Sequence, residues 1–193
     1  MKVKLLVLFL GLVSIPTAVI LNGPEASAEQ RPEPVASATP RAAKPAKPLK
    51  QREIVFLETW DGNKITKAEE QWKADLSDME YYVMRKQGTE RAYSGPLTHN
   101  KEAGTYYCAA CGLALFRSAH KYDSETGWPS FYQPLNKSHI AESQDDSSPE
   151  EVRTEVHCVR CGSHLGHVFD DGPEPTGLRY CINSAALRFK PAK

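Results

Sequence analysis

The sequence predicts a mainly β domain with a few short helices at its N-terminal side and a metal site that joins distant strands. Short apolar runs of strand length follow one another after residue 100 and are separated by Gly, Pro, Asn and Asp turns. A Cys-x-x-Cys-Gly motif occurs twice. With 40% hydrophobic and 25% charged residues among 193, the composition is that of one globular domain rather than a disordered chain.

The first 28 residues resemble a secretory signal peptide. Lys2 and Lys4 precede an apolar run from Leu5 to Leu21, and the segment ends in Ala26-Ser27-Ala28, a small-residue cleavage site. The alternative is an uncleaved membrane anchor, since 17 residues lie at the short edge of a spanning helix. Either form predicts export to the periplasm or the extracellular space.

Residues 29–50 form a predicted disordered linker, and residues 51–193 form the folded domain. The linker contains five Pro and five Ala with scattered Lys, a composition that buries little apolar surface. It has five basic and two acidic residues, whereas residues 51–193 have 17 basic and 21 acidic ones. A nucleic-acid surface needs clustered Lys and Arg, so nucleic acid is excluded as an expected partner.

Two short helices are predicted before the strands. Thr66 with Glu69, and Ser77 with Glu80, each have the spacing of a capping box, and the second helix is expected to end at Gly88. Apolar residues at helical spacing predict a face that packs on the sheet.

Predicted strands cover a short run before the helices and six segments after residue 100. The acidic, Ser-rich stretch Glu142–Glu151 is predicted to be a solvated loop between them. The strand segments are Ile54–Trp60, Thr105–Ala109, Leu113–Arg117, Val152–Cys158, His167–Asp170, Leu178–Asn183 and Ala186–Phe189.

Four of the five cysteines form the two repeated motifs, Cys108 with Cys111 and Cys158 with Cys161. Each tight turn directs two thiolates at one point, and the following glycine permits the bend, so the motifs predict a closed four-cysteine zinc site. Two disulfides are the alternative in an exported protein. Bridges within each motif would close very small loops with little entropic gain.

Cys181 is the remaining thiol, in Arg179-Tyr180-Cys181-Ile182-Asn183-Ser184. It is either reactive or a small buried hydrophobe on a strand. Arg179 is a cation that lowers a nearby thiol pKa. Asn183 has the same strand parity as Cys181, and His164 and His167 follow the second cysteine motif.

From about Ala68 to Phe189 the sequence resembles the B-type methionine sulfoxide reductase family. Several ordered motifs carry the resemblance. They are Gly88-Thr89-Glu90-Arg91, Gly104-Thr105-Tyr106 before the first cysteine motif, Gly127-Trp128-Pro129-Ser130-Phe131, His164-Leu165-Gly166-His167-Val168-Phe169, and the segment around Cys181.

The resemblance implies two antiparallel sheets with short N-terminal helices, one structural zinc on the four paired cysteines, and Cys181 as the nucleophile. It also implies a substrate pocket in which Trp128 receives the S-methyl group. Around the sulfoxide it places His164, His167, Phe169, Asp171, Arg179 and Asn183. For Trp128 and Phe169, packing in the core is the alternative role.

The expected substrate is methionine-R-sulfoxide in peptides or proteins, since each sulfoxide epimer has its own enzyme. The Cys181 thiolate would attack the sulfoxide sulfur while a protonated His164 or His167 supplies a proton to the oxygen. The products are methionine and a sulfenic acid on Cys181.

The sequence departs from the family at the position of a second, recycling cysteine, which many members carry just before Gly127. Thr126 stands there, and Glu125 replaces a usual glycine. An external thiol such as a thioredoxin-like protein is therefore expected to reduce the sulfenic acid of a monomeric enzyme. The rival functions are a non-catalytic zinc-ribbon-like peptide-binding module and a redox sensor.

Overall fold

The computed structural model describes residues 53–147 and 152–193. The predicted signal peptide or anchor at 1–28 and the linker at 29–50 lie outside the described residues. Among those that are described, no helix is both long and apolar enough to cross a bilayer.

The described residues form two α-helices, nine β-strands and three short 3₁₀ turns. The helices are α1 (Glu69–Asp75) and α2 (Asp78–Lys86). The strands are β1 (Gly104–Cys108), β2 (Ala114–Arg117), β3 (Lys121–Tyr122), β4 (Ser130–Phe131), β5 (Ile140–Asp145), β6 (Arg153–Cys158), β7 (His164–Phe169), β8 (Arg179–Ile182) and β9 (Leu187–Pro191). The 3₁₀ turns are Ser118–His120, Lys137–His139 and Ser184–Ala186.

The strands form two antiparallel sheets, which confirms the fold class. One sheet has the strand order β2-β1-β9, and the other has the order β3-β4-β8-β7-β6-β5. The turn Ser184–Ala186 carries the chain from β8 in the larger sheet to β9 in the smaller one. The core lies between the sheets, where the rings of Phe116 and Phe131 stack with centroids 4.4 Å apart. Truncating either ring to alanine would cost about 3–5 kcal/mol.

Of the two predicted helix starts, the structure confirms the second and contradicts the first. Ser77 caps α2 as predicted, since its hydroxyl accepts from the Glu80 N–H and the Glu80 carboxylate accepts from the Ser77 N–H. The predicted capping box of Thr66 and Glu69 is wrong, because α1 begins at Glu69 and its N-cap residue is Ala68. The Ile65 N–H donates to the Arg160 carbonyl at 2.7 Å, so a tertiary hydrogen bond holds the preceding chain outside the helix.

Three predictions about the strands are also corrected. Residues 142–145, predicted as part of a loop, continue the edge strand β5, whose outer residues are polar and exposed. The run Ile54–Trp60 forms an isolated parallel bridge between Leu57 and Leu113 instead of a strand. The strand β7 begins at His164, three residues before its predicted start, and this extension affects the site directly.

Candidate active site and metal centre

The four paired cysteines converge on one point, where their sulfur atoms all lie within 4.8 Å of one another. The glycine after each motif adopts positive φ, +77° at Gly112 and +64° at Gly162, as the knuckle geometry requires. Cys108 and Cys111 lie at the β1–β2 turn, and Cys158 and Cys161 lie at the β6–β7 turn. The cluster therefore joins the smaller sheet to the larger one.

The geometry of the cluster fits a metal ion and not two disulfides. The Sγ atoms of Cys108 and Cys161, and those of Cys111 and Cys158, are 3.6 Å apart. Disulfide sulfurs lie about 2.05 Å apart, whereas thiolates at about 2.3 Å around a tetrahedral ion lie about 3.8 Å apart. All four residues are buried. The four cysteines can therefore bind one metal ion, with every coordination position filled by protein.

Cys181 lies in β8, near the middle of the six-stranded sheet and apart from this cluster. Its register partners are Ser130 in β4 and His167 in β7. Tyr180 and Ile182 point into the core and are buried, so Cys181 lies on the opposite, half-buried face. The structure thus separates the fifth cysteine from the metal ligands, as the sequence predicted.

An irregularity in β7 brings both histidines to the face that carries Cys181. Residues three apart in a regular strand point to opposite faces. Here Val156 pairs with Gly166 while the next residue, His157, pairs with His164, so one extra residue of β7 is accommodated. This β-bulge places the rings of His164 and His167 5.4 Å apart.

Each of these histidines pairs with a carboxylate. His164 Nδ1 lies 2.7 Å from Glu155 Oε1, and His167 Nε2 lies 2.8 Å from Asp145 Oδ2. Burial lowers the pKa of His164, whose side chain is 2% exposed. Hydrogen bonds from Ser147, followed by the contact with His167, lower the pKa of Asp145. A neutral His164 ring therefore faces Glu155, and an ionised Asp145 faces His167.

Arg179 and Asp171 form a second charged pair on this face. The Arg179 Nε and Nη2 atoms donate to the two Asp171 carboxylate oxygens at 2.7 and 2.8 Å. The guanidinium also lies 4.3 Å from the centre of the Phe169 ring, a cation–π contact. Phe169 is only half-buried. It therefore lines the site and holds Arg179 instead of packing in the core.

Hydroxyl groups occupy the other side of Cys181. Thr126 Oγ1 lies 4.0 Å from Cys181 Sγ and 2.9 Å from Ser124 Oγ, and Ser124 Oγ lies 2.6 Å from Ser130 Oγ. Trp128 follows this loop, is half-buried, and donates from Nε1 to the Glu90 carbonyl at 3.1 Å. The indole is thus anchored to the main chain of Glu90.

Burial raises the pKa of the Cys181 thiol. Arg179 acts in the opposite direction, as its charge predicts, but its effect is smaller than that of burial. Cys181 is therefore mainly protonated at neutral pH in the free protein, and its activation must involve removal of that proton.

Comparison with known proteins identifies the family. A family model described as the SelR domain matches residues 76–191, more than half of the chain. The chain belongs to the B-type methionine sulfoxide reductase family.

The relatives of this family member are similar over nearly their whole lengths. A peptide methionine sulfoxide reductase MsrB of Leptospira interrogans is 55% identical over 126 residues, which are 65% of this chain and 95% of the relative. Proteins of the same name from Bradyrhizobium diazoefficiens and Methanosarcina mazei are 56% and 57% identical over 67% and 66% of this chain. The match covers 92% of the first and 90% of the second.

In this reductase-family chain Asn183 does not lie where the alternation of strand faces from Cys181 predicts. The strand β8 ends at Ile182, so the alternation of faces does not continue to Asn183. Asn183 Nδ2 donates to the Leu165 carbonyl at 3.1 Å, and Oδ1 accepts from the Glu90 N–H at 3.0 Å. Its amide therefore anchors the main chain beside the site.

Sequence reasoning missed several residues of the site. Asp145 and Glu155 pair with the histidines, Glu90 contacts both Asn183 and Trp128, and the buried Tyr122 hydroxyl oxygen has no hydrogen-bond partner among the described residues. Asp145 was missed because it lies in the stretch that was predicted to be a loop. Glu90 had one clue, because it lies in the Gly88–Arg91 motif that no predicted role explained.

Proposed function

We propose that this chain is an enzyme that reduces methionine-R-sulfoxide to methionine, with Cys181 as its nucleophile. The observation that carries the proposal is the face around Cys181. One thiol outside the metal cluster lies beside two histidine–carboxylate pairs and an arginine–aspartate pair. Membership of the reductase family supports the same reaction.

The proposed reaction balances without an added proton. The Cys181 thiol and methionine sulfoxide give a Cys181 sulfenic acid and methionine. The thiol loses its proton, its sulfur attacks the sulfoxide sulfur, and a proton is supplied to the sulfoxide oxygen, which is transferred to Cys181. The thiol proton of the free protein is the one that this exchange needs. A nearby histidine can hold it between the two steps.

His167 is the better candidate for that proton carrier. It is the register partner of Cys181. Burial lowers the pKa of His164, and Glu155 faces its Nδ1 atom, so the neutral ring has its proton on Nδ1 and leaves Nε2 as an acceptor. This Nε2 atom is buried and has no partner within the described residues. We therefore assign His164 the role of hydrogen-bond acceptor and His167 that of acid.

Recognition of one epimer needs two unlike walls around the sulfur. The Trp128 indole supplies an apolar wall for the S-methyl group, and the Arg179–Asp171 and histidine groups supply polar contacts for the oxygen. A sulfoxide of the wrong hand would direct its methyl group at these charges. The pocket is therefore expected to select one epimer, and membership of the reductase family makes the R epimer the expected one.

An external thiol is proposed to reduce the sulfenic acid. Thr126, the residue next to Cys181 Sγ, carries a hydroxyl and cannot form a disulfide. The other four thiols belong to the metal cluster. Atoms balance if one external thiol displaces water to form a mixed disulfide and a second thiol releases Cys181. A thioredoxin-like dithiol has this chemistry.

Zinc is the proposed metal, as one structural ion. Four cysteine ligands are typical of closed zinc sites, and such a site has no open position for substrate. Arg160 Nη1 donates to the Cys111 carbonyl at 2.7 Å and so supports one knuckle. Metal content of one ion per chain is the expected result of elemental analysis.

Export of the enzyme is proposed from the sequence of the N-terminal 28 residues. An exported repair enzyme would meet oxidised proteins of the cell envelope, which makes protein-bound methionine sulfoxide the expected substrate. Detection of the chain in the periplasmic or secreted fraction would support export, and its retention in the cytosol would contradict it.

The central experiment is a single-turnover assay on separated R and S epimers of a methionine sulfoxide peptide. The metal-loaded wild type is expected to form about one equivalent of methionine from the R epimer alone, as one thiol reacts once. Cys181→Ser is expected to form none. A peptide-binding module would form no product from either epimer, and a redox sensor would fail to turn over when a reductant is added.

A further inference from the structure

Glu90 lies in the loop between α2 and β1 and is 4% exposed. Its carboxylate oxygens accept from the Ser184 N–H at 2.5 Å and the Ala185 N–H at 2.8 Å. These donors belong to the 3₁₀ turn that follows Cys181 by three residues. Burial raises the pKa of Glu90, while these two hydrogen bonds favour its ionised form. The side chain therefore fixes the Glu90 backbone against the end of the catalytic strand.

The main chain of Glu90 contacts two further parts of the site. Its N–H donates to Asn183 Oδ1 at 3.0 Å, and its carbonyl accepts from Trp128 Nε1 at 3.1 Å. One residue thus connects the chain just after Cys181 to Trp128, whose indole is the proposed wall for the substrate methyl group. Among the described residues, no other residue is hydrogen-bonded to the Ser184 turn, Asn183 and the Trp128 indole together.

We propose that Glu90 is a positioning residue that sets the distance between the Trp128 wall and Cys181. This inference rests on the proposed reduction of methionine sulfoxide. When the carboxylate holds the Ser184 turn, the Glu90 carbonyl is held in place for the indole. Loss of the carboxylate frees the loop, and the apolar wall moves relative to the thiol. Substrate placement and epimer selection should then suffer while the thiol itself is unchanged.

The test compares steady-state and single-turnover kinetics of Glu90→Gln and Glu90→Ala with the wild type. The amide retains one acceptor and alanine retains none, so KM for the R-sulfoxide peptide should rise in the order wild type, Glu90→Gln, Glu90→Ala. A misplaced wall is expected to raise KM about ten- to a hundredfold in the alanine variant. The preference for the R epimer should fall in the same order, and the alkylation rate of Cys181 should stay within about twofold.

Glu80→Gln is the matched control. Glu80 is also a buried carboxylate, 7% exposed, that pairs with Arg188 and accepts from the Ser77 N–H. Among the described residues it has no hydrogen bond to Trp128 or Asn183. Loss of a merely structural contact would reduce the active fraction, measured by the single-turnover amplitude, and leave KM and epimer preference unchanged. The control should show this pattern.

Several results would overturn the inference. Unchanged KM and epimer preference in both Glu90 variants would do so, as would unfolding of both variants while Glu80→Gln stays folded, which would make Glu90 a residue of the fold alone. Failure of the proposed function gives a different result, because the wild type itself would then form no methionine.

Discussion

Replacing Thr126 by cysteine should change the proposed recycling of Cys181 by an external thiol to recycling by an internal one. Thr126 Oγ1 is 4.0 Å from Cys181 Sγ, and disulfide sulfurs lie about 2 Å apart, so the two side chains need to approach by about 2 Å. The residue precedes Gly127 on a loop, where side-chain rotation and a small loop movement can supply this approach. In Thr126→Cys, the new thiol should attack the Cys181 sulfenic acid, form a disulfide and release water.

The bridge should also stabilise the fold. It would join positions 55 residues apart, and the chain-entropy relation for a loop of this length gives about 4 kcal/mol at 25 °C. For a folded domain of this size, that free energy corresponds to a rise in Tm of about 10 °C or more in the oxidised form. Strain in the closed loop would reduce this gain.

The assay is mass spectrometry after one equivalent of the R-sulfoxide peptide, together with trapping of sulfenic acid and thermal unfolding. Wild type should gain one oxygen and react with the trap, whereas Thr126→Cys should lose two hydrogens and resist the trap. Thr126→Ser preserves the hydroxyl, and Glu125→Cys places a thiol one residue away, so both should behave like wild type. A sulfenic acid that persists in Thr126→Cys would refute the assigned geometry. An internal disulfide in the metal-loaded wild type would refute external recycling.

Three further perturbations test the metal site, the thiol and the sheet. Chelation of the metal, or Cys108→Ser, should leave the domain unfolded at 37 °C, because the free energy of metal binding, about 10 kcal/mol, contributes directly to folding. A thermal melting curve that is unchanged in the absence of metal would contradict this. Alkylation of Cys181 by iodoacetamide should still accelerate above pH 9, because burial raises the thiol pKa and only the thiolate reacts. Arg179→Met should shift that profile further upward, whereas a plateau by pH 8 would show that burial does not dominate. Gly166→Ala would place a Cβ 2.0 Å from the Cys181 carbonyl oxygen, so β8 must move, with a loss of about 3 kcal/mol in stability and about a hundredfold in kcat/KM. Urea unfolding and steady-state kinetics measure both quantities, and wild-type values in both would show that β7 and β8 tolerate the side chain.

The division of the cysteines could be predicted from the sequence because their spacing alone determines it. A Cys-x-x-Cys-Gly turn places two thiols together through local geometry. Two such turns account for four cysteines, and the fifth, Cys181, is then recognised as separate. The cap at Ser77 succeeded for the same reason, since its partner Glu80 is three residues away. The cap at Thr66 failed because Ile65 is hydrogen-bonded to Arg160, a residue far along the chain.

The partners of the histidines could not be predicted, because they depend on sheet register. Asp145 and Glu155 meet the histidine face only when β5, β6 and β7 pair as observed. The polar, exposed side of β5 has the composition of a loop, so the sequence pattern predicted a loop where the structure has a strand. The bulge in β7 is likewise invisible locally, because a regular strand would have sent His164 and His167 to opposite faces.

The sulfur cluster lies only three residues from His164 and six from His167, since Cys161 is followed by Gly162, Ser163 and His164. If the cluster holds a metal ion as proposed, β7 starts directly after its ligands, and release of the ion is expected to let the bulge relax and misalign the histidines. An oxidant strong enough to attack the buried thiolates would therefore disable the repair of the damage that it causes. The burial of these four sulfurs would then protect the proposed reductase activity as much as it protects the fold.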